Sequence, residues 1–354
     1  MSAGSIYITQ YVIMILGNSQ KNVNSFLGNC AFFSVGRVRH GIIQSMTQPR
    51  VAMTIIGDMN VDISLAITAW PNEGGDVLAN AVTWSSGGTG LNCAVAVARL
   101  GYSVSLWSRV GHDAAADQVI RTAQQAGVNV SAVQRDPTVA TGVCVIPVTP
   151  GGERTFLSFR GANVQWDVPA LTLPAAGWLH VCGHALLTDP QRAQSIVALQ
   201  RAQAAGWQTS IDLCDPLAPL LMPILSQLRA PLRVVMGNER EIASVETDLA
   251  PYAHMVLTKR GARGATAYHR QAHTSHAGFV VDAIDTTACG DTFGGVFCAA
   301  LLHGAPLDDA LTVANAAGAL TASRRGAADI EPTRAEIIAF LATNNCPIPL
   351  WLAQ

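Results

Sequence analysis

The sequence predicts an α/β fold in which a mostly parallel central sheet is flanked by helices. From residue 51 onward, apolar strands alternate with amphipathic helices, and this alternation is typical of a parallel sheet covered on both faces. The chain has 354 residues, 49% of them hydrophobic, which is enough to bury a large core. Two stretches, 61–84 and 141–160, break the alternation and have the pattern of antiparallel hairpins. A second, smaller β layer is therefore expected beside the main sheet.

The predicted elements succeed one another along the chain in α/β order. Strands are predicted at 51–57, 103–109, 178–182, 208–213, 232–236 and 255–258. Helices are predicted at 89–100, 114–126, 191–205, 217–228, 239–245, 307–323 and 333–341, with a further helix that ends near residue 304. The domain is expected to span residues 51–345, with a tail at 346–354.

Residues 1–50 differ in character from the rest of the chain and are predicted to form a poorly structured extension. The apolar run at 7–16 is too short to cross a bilayer and has no Lys or Arg before it, so it fits neither a membrane span nor a secretory signal. An alternative is that translation starts at Met46 or Met53. Peptides from residues 1–40 in the native protein would exclude that alternative.

Composition favours a small-molecule partner. Charged residues make up 13% of the chain and the formal net charge is −2, so no basic surface that would bind nucleic acid is expected. No membrane partner is expected either. The eight cysteines form no C-x-x-C pair. They are interpreted as free thiols, which predicts a cytoplasmic protein.

The stretch from Asp285 to Gly295 is a turn of small residues that leads into a helix. Backbone N–H groups at a helix N-terminus lack partners and favour an anion. Ala288, Cys289 and Gly290 are small enough to let a phosphate approach, and Asp291 could accept a proton from an attacking hydroxyl. The alternative is that Asp291 only caps the helix. The stretch by itself does not decide between the two.

This segment resembles the C-terminal signature of the ribokinase-like (pfkB) carbohydrate kinases, Asp-Thr-x-Gly-Ala-Gly-Asp followed by a helix. Ala288 stands where the common form has Gly, and Cys289 where it has Ala. The resemblance implies that Asp291 is the general base and that the 288–290 amides form an anion hole. It also implies that Asp285 contributes to a monovalent-cation site.

Two further motifs match the sugar-binding segments of that family. Asn60 and Asp62 follow the first strand and could be ordinary turn residues, but they resemble the family residues that hold substrate hydroxyls. The stretch from Gly87 to Ala96 resembles the N-terminal signature Gly-Gly-x-Gly-x-Asn-x-Ala, in which Gly87, Gly88 and Asn92 would face the sugar. Thr89 stands where ribokinases commonly have Lys, which counts against ribose.

The second hairpin carries Arg154 and Arg160. Two like charges on one side of a lid could hold a substrate carboxylate or phosphate, and Arg160 is the candidate substrate-binding residue. The alternative is that both are solvated lid charges.

The nucleotide side is predicted from three segments. Asn238 and Glu241 have the spacing of a capping box, but they also match the family's Asn-x-x-Glu, in which the Glu helps to position Mg²⁺, largely through water. Thr258 and Gly261 resemble the nucleotide loop, and Asn315 resembles a position beside the adenine. His269, His273 and His276 have no acid or Cys partners at ligand spacing, so a metal site there is not expected.

Together these motifs predict an ATP- and Mg²⁺-dependent carbohydrate kinase, with K⁺ as a further candidate ion. The γ-phosphate of ATP would pass to a sugar hydroxyl, expected to be a primary one. The two hairpins would form a small β lid, through which the protein could pair as a homodimer. The alternatives are a nucleoside kinase of the same superfamily, a catalytically silent sugar or nucleotide sensor and, more distantly, an NAD-dependent oxidoreductase.

Overall fold

The computed structural model describes residues 52–170, 173–270 and 272–353. The strands are β1 (Ala52–Ile56), β2 (Asn60–Ile67), β3 (Ala79–Gly87), β4 (Val104–Trp107), β5 (Arg109–Val110), β6 (Gln134–Arg135), β7 (Gly142–Val148), β8 (Leu157–Phe159), β9 (Gly177–Cys182), β10 (Gln208–Asp212), β11 (Val234–Asn238), β12 (Val256–Lys259), β13 (Ala265–His269) and β14 (Ala272–His276). The helices are α1 (Thr89–Arg99), α2 (Ala114–Gln125), α3 (Gln191–Ala204), α4 (Ala218–Leu225), α5 (Glu239–Ala243), α6 (Cys289–Leu302), α7 (Leu307–Ala322), α8 (Arg334–Thr343) and α9 (Leu350–Ala353).

Eight strands form the central sheet in the order β14-β13-β12-β11-β10-β9-β1-β4. The six strands from β12 to β4 run parallel, and β13 and β14 add an antiparallel edge. The prediction of a mostly parallel sheet flanked by helices is confirmed. The prediction of one strand over 103–109 was too long: the central strand ends at Trp107, and β5 pairs instead with β6 in a separate two-stranded sheet.

Both faces of the sheet are buried against helices. Successive residues of a strand point to opposite faces, so each strand contributes side chains to both cores. Met236 on β11 belongs to the core shared with α1, α6 and α7, whereas its neighbour Val235 belongs to the core shared with α3 and α4. Helices α1 and α6 lie close together, since a Cβ on Gly295 would come within 2.8 Å of the Cys93 carbonyl oxygen. A Cβ on the neighbouring Gly294 would lie 3.1 Å from the Met236 Sδ on β11, so the first half of α6 lies over the sheet.

The two predicted hairpins are present and join into one four-stranded sheet, β3-β2-β7-β8. Strands β2 and β3 pair antiparallel, as do β7 and β8, and a parallel pairing of β2 with β7 connects them. Asn60 and Asp62 therefore lie on a lid strand rather than in a turn. We call this four-stranded sheet the lid.

Several sequence predictions concern the ends of the chain. Residues 1–50 lie outside the described part of the structure. Within the predicted tail, α9 packs on the domain, with Leu352 fully buried. In the described ranges, no helix is both long and apolar enough to cross a membrane.

Candidate active site

A cavity of about 610 Å³ opens where the carboxyl ends of four adjacent parallel strands meet the start of α6. Cys182, Asp212, Asn238 and Lys259, each the last residue of its strand, line it. Ligands bind at this edge in open α/β sheets, and a volume of this size suits a nucleotide-sized molecule. Cys289, Gly290 and Asp291 face the same cavity.

The backbone amides of residues 288–290 stand at the start of α6, and we call this segment the cradle. Ala288 occupies the N-cap position in the left-handed region, with φ of 63°. The Thr292 N–H donates to the Ala288 carbonyl at 2.8 Å, so the amides before Thr292 lie at the open end of the helix. Of these, the Cys289 N–H makes a long contact of 3.4 Å with the Thr286 carbonyl. Burial raises the pKa of the Cys289 thiol to about 12, so this side chain is uncharged at neutral pH.

A hydrogen bond to Asp291 joins the N-terminal signature, which contains Asn92, to the C-terminal signature. Oδ2 of Asp291 accepts this bond from Asn92 Nδ2 at 2.9 Å, across 199 residues of sequence. Burial raises the pKa of Asp291 to about 7; the Asn92 bond opposes this shift, while the negative charge of Asp212 adds to it. A carboxyl that titrates near neutral pH can exchange a proton with a hydroxyl, which a simple helix cap would not need to do.

The carboxyl group of Glu331 is hydrogen-bonded to the first turn of α6 through Thr292. The Thr292 hydroxyl lies 2.9 Å from the Ala288 carbonyl oxygen and 2.7–2.8 Å from both carboxyl oxygens of Glu331. One hydroxyl proton cannot serve all these acceptors, so a protonated Glu331 can donate to Thr292 while Thr292 donates to Ala288. Burial raises the pKa of Glu331 to about 8, in agreement with this arrangement.

Asp62 is a second buried carboxyl on the lid side of the site. A Cβ on Gly87, which pairs with Asn60 on the neighbouring strand, would come within 2.0 Å of the Asp62 Oδ2, so a side chain there would displace the carboxyl group. Burial raises the pKa of Asp62 to about 7, with further increases from the charges of Asp329 and Asp285. The adjacent Gly88 has φ of 96°, and a Cβ there would meet the Asp58 carbonyl oxygen at 2.5 Å.

The Asn60 side chain is held by the chain itself. Its Oδ1 accepts a hydrogen bond from Asn163 Nδ2 at 3.0 Å, and a Cβ on Gly142 would come within 2.0 Å of the same oxygen. Asn60 therefore fixes the lid strands to the 161–165 turn.

The two lid arginines are paired separately with carboxylates of the chain. Arg160 makes a bidentate contact with Asp58, both bonds 2.8 Å, and its Nη1 is buried without a partner in the part of the chain that the structure describes. Arg154 Nη1 lies 3.0 Å from Asp285 Oδ1. Each guanidinium therefore has a carboxylate partner of its own and is not a solvated charge, and a substrate role for Arg160 stays a prediction.

Asn238 and Glu241 form the capping box that their spacing predicts. Asn238 Oδ1 accepts from the Glu241 N–H at 2.9 Å, and Glu241 Oε2 accepts from the Asn238 N–H at 2.7 Å. Both residues also line the cavity, as do Gly261 and Asn315. Capping and cavity lining are therefore compatible at this position.

Sequence reasoning missed the ion pair between Lys259 and Asp212. Lys259 Nζ lies 2.7 Å from both carboxyl oxygens of Asp212 and 3.5 Å from the carbonyl oxygen of Gly290. Burial disfavours the ammonium charge, but Asp212 outweighs that effect and raises the pKa of Lys259. The predicted Thr258 is not among the residues that line the cavity, since its side chain points to the opposite side of the strand. A single Lys at the end of a predicted strand does not indicate which carboxylate it will pair with.

The fold and this cavity define an α/β protein with a ligand site at the carboxyl ends of its parallel strands, next to a helix N-terminus. The chain matches the pfkB family of carbohydrate kinases over residues 52–334 and belongs to that family. It is therefore a phosphotransferase of the carbohydrate kinase class.

Individual relatives agree with this assignment. A ribokinase of Schizosaccharomyces pombe is 30% identical over 314 residues, which cover 81% of this chain and 96% of the relative. A fructokinase of Vibrio alginolyticus is 30% identical over 279 residues, covering 72% and 91%. A solved structure of a putative ribokinase II from E. coli, in complex with ATP and Mg²⁺, matches with a TM-score of 0.71 at 22% identity, covering 83% of this chain and 99% of that one.

Proposed function

We propose that this enzyme transfers the γ-phosphoryl group of ATP to a primary hydroxyl of a sugar, with Asp291 as the general base. The observation that carries the proposal is the position of Asp291, which lines the cavity at the first turn of α6 and whose surroundings raise its pKa to about 7. Its carboxylate can take the hydroxyl proton while the cradle amides stabilise charge on the transferring group. A positioned base is typically worth about 10²- to 10⁴-fold in rate.

The acceptor would lie between the lid and Asp291. Asn92 Oδ1 and Arg160 Nη1 are buried and have no hydrogen-bond partner within the described ranges. Orphaned buried polar atoms are costly, and a polyhydroxylated ligand could satisfy them. Asp62, Gly87 and Gly88 would complete this subsite, in which the carboxylate accepts bonds from hydroxyls and the glycines make room.

ATP would occupy the cavity along the strand ends. Gly261 and Asn315 would border the nucleotide, and Lys259 would contribute positive charge next to the cradle. Among the described residues, no cluster of three or more His, Cys, Asp or Glu side chains could hold a metal. Glu241 as a single carboxylate fits an ion that keeps most of its water. Bound there, Mg²⁺ would neutralise charge on the phosphates.

The test is acceptor-dependent ATP consumption across pentoses, hexoses, 2-keto-3-deoxy acids and nucleosides. We expect one sugar to be turned over, and Asp291→Asn to reduce kcat at least ~10²-fold while ATP affinity is retained. Asp117→Asn is the matched control, because Asp117 makes an exposed ion pair with Arg135 and lies outside the cavity. Wild-type kcat in Asp291→Asn would refute the assignment, and preferred turnover of a nucleoside would favour the alternative kinase.

We also propose that the lid pairs two copies of the chain. Cross-strand neighbours place Trp84, Val82, Leu157 and Phe159 on one face of the lid, and all four are more than half exposed. An apolar sheet face of this kind suits a second identical face. Trp84→Glu is expected to convert a dimer to a monomer in analytical ultracentrifugation, and a monomeric wild type would contradict the proposal.

A further inference from the structure

Arg154 connects the lid to the loop that precedes the cradle. It follows the turn between β7 and β8, where it forms an isolated bridge with Val148. Its guanidinium contacts three oxygens of one segment: Asp285 Oδ1 at 3.0 Å, Thr286 Oγ1 at 3.3 Å and the Ile284 carbonyl at 3.3 Å. The arginine side chain is 19% exposed and that of Asp285 is 13% exposed, so the ion pair itself is partly shielded from water.

Asp285 in turn holds the cradle loop. Its Oδ1 accepts from the Thr287 N–H at 2.8 Å, and its Oδ2 lies 3.4 Å from the Gly326 N–H. The N–H groups of Ile284 and Asp285 bond to the carbonyl of Ala322 at the end of α7. Asp285 is thus the point at which the lid, the cradle loop and the end of α7 meet.

The groups around Asp285 do not fit the monovalent cation that its place in the signature implies. A hard cation needs several oxygen ligands. The polar contacts of the Asp285 carboxylate are instead N–H donors, namely the guanidinium and two backbone amides. Three oxygens of the segment that could otherwise face an alkali ion, Oδ1 of Asp285, the Thr286 hydroxyl and the Ile284 carbonyl, contact Arg154 instead.

We propose that Arg154 is the resident cation of Asp285, so that lid closure, rather than a bound alkali ion, orders the cradle. The inference rests on the proposed function for its kinetic consequence. Arg154 acts through Asp285 and is a positioning residue. When the lid is closed, its positive charge holds the 284–287 segment against α7. When the lid opens, that charge leaves with it, so the cradle is ordered only over an enclosed acceptor.

The experiment compares wild type with Arg154→Met in potassium chloride, guanidinium chloride and choline chloride at equal, low ionic strength. Both acceptor-dependent turnover and the thermal unfolding midpoint are measured. We expect the wild type to be the same in potassium and choline. Arg154→Met should lose at least ~10-fold in kcat in choline and recover at least half of that loss with potassium or guanidinium, and its unfolding midpoint should rise specifically with those ions.

Arg135→Met is the matched control, since it removes an exposed arginine–carboxylate pair with Asp117. Three outcomes would overturn the inference: potassium activation of the wild type, an unaltered Arg154→Met enzyme in choline, or a loss that neither cation restores. If no acceptor is turned over, the proposed function fails. The ion dependence of the unfolding midpoint in the two proteins still decides the role of Arg154.

Discussion

Asn92 donates a hydrogen bond from Nδ2 to Oδ2 of Asp291 at 2.9 Å. This bond joins the first turn of α1 to the first turn of α6, and it favours the charged form of the carboxyl. The Oδ1 atom of the same side chain is buried and unpaired within the described residues. One side chain can therefore tune the base and accept a bond from the substrate.

We expect Asn92→Ala to affect both roles. Loss of the hydrogen bond raises the pKa of Asp291 above about 7, so the acidic limb of the kcat–pH profile moves to higher pH. Because the base is active only when deprotonated, turnover at pH 7 falls, and the acceptor KM rises about 10-fold for the lost bond. Steady-state kinetics from about pH 5.5 to 9 measures both effects. Asn129→Ala, which loses a surface bond to Ser105, is the control, and an unshifted limb would contradict the prediction.

Asp62 has the opposite influence on Asp291. Its negative charge raises the pKa of Asp291, so Asp62→Asn should lower that pKa and move the acidic limb of kcat to lower pH. The acceptor KM should rise at the same time, because a subsite carboxylate is lost. The same pH series measures the shift. A limb at the wild-type position would show that the two carboxyls are not coupled.

Glu331 should make the protein less stable as pH rises. The pKa of Glu331 is about 8 in the folded protein, against an ordinary value of 4.5 for a glutamate in the unfolded chain. Between pH 4.5 and about pH 8, the folded state therefore holds a proton that the unfolded state has released. The free energy of unfolding therefore decreases through this window, by about 1.4 kcal/mol per pH unit from this group, and the contribution is lost above about pH 8.

Chemical denaturation of Glu331→Gln at about pH 5, 6, 7 and 8 tests this assignment. The variant should lose that part of the pH slope, because an amide keeps its donor at every pH. Glu336→Gln is the control: backbone and side-chain bonds from Thr333 and Arg324 hold the pKa of Glu336 at about 2, so it stays ionised throughout the window. Equal slopes in wild type and Glu331→Gln would refute the protonated assignment.

Lys259→Met should be strongly destabilising because it leaves the Asp212 carboxylate buried without its counter-ion. Removing one member of a buried ion pair typically costs about 3–5 kcal/mol. The double variant Lys259→Met/Asp212→Asn should recover much of the free energy of unfolding but not the affinity for ATP. Denaturation and calorimetric titration separate the two effects. If the double variant binds ATP as tightly as the wild type, Lys259 does not contribute to nucleotide binding.

The fold and the local parts of the site could be predicted from the amino-acid sequence alone. Apolar periodicity is sufficient to distinguish strands from helices, so the parallel sheet and the two hairpins were predicted within a few residues. The Asn238–Glu241 capping box is equally local, since its two residues are one helical turn apart. Glycines at close approaches, such as Gly87 beside the Asp62 carboxyl, are also visible as sequence patterns.

The pairing of charged groups across the site, in contrast, became known only from the tertiary structure. Lys259 and Asp212 are 47 residues apart and Thr292 and Glu331 are 39 apart, and they meet because strand order and helix packing bring them together. The partners of Arg154 and Arg160 were beyond prediction for the same reason, since nothing in a hairpin sequence specifies which carboxylate lies across the site. Periodicity reports burial and direction along one element, whereas a buried ion pair depends on the distance between two elements.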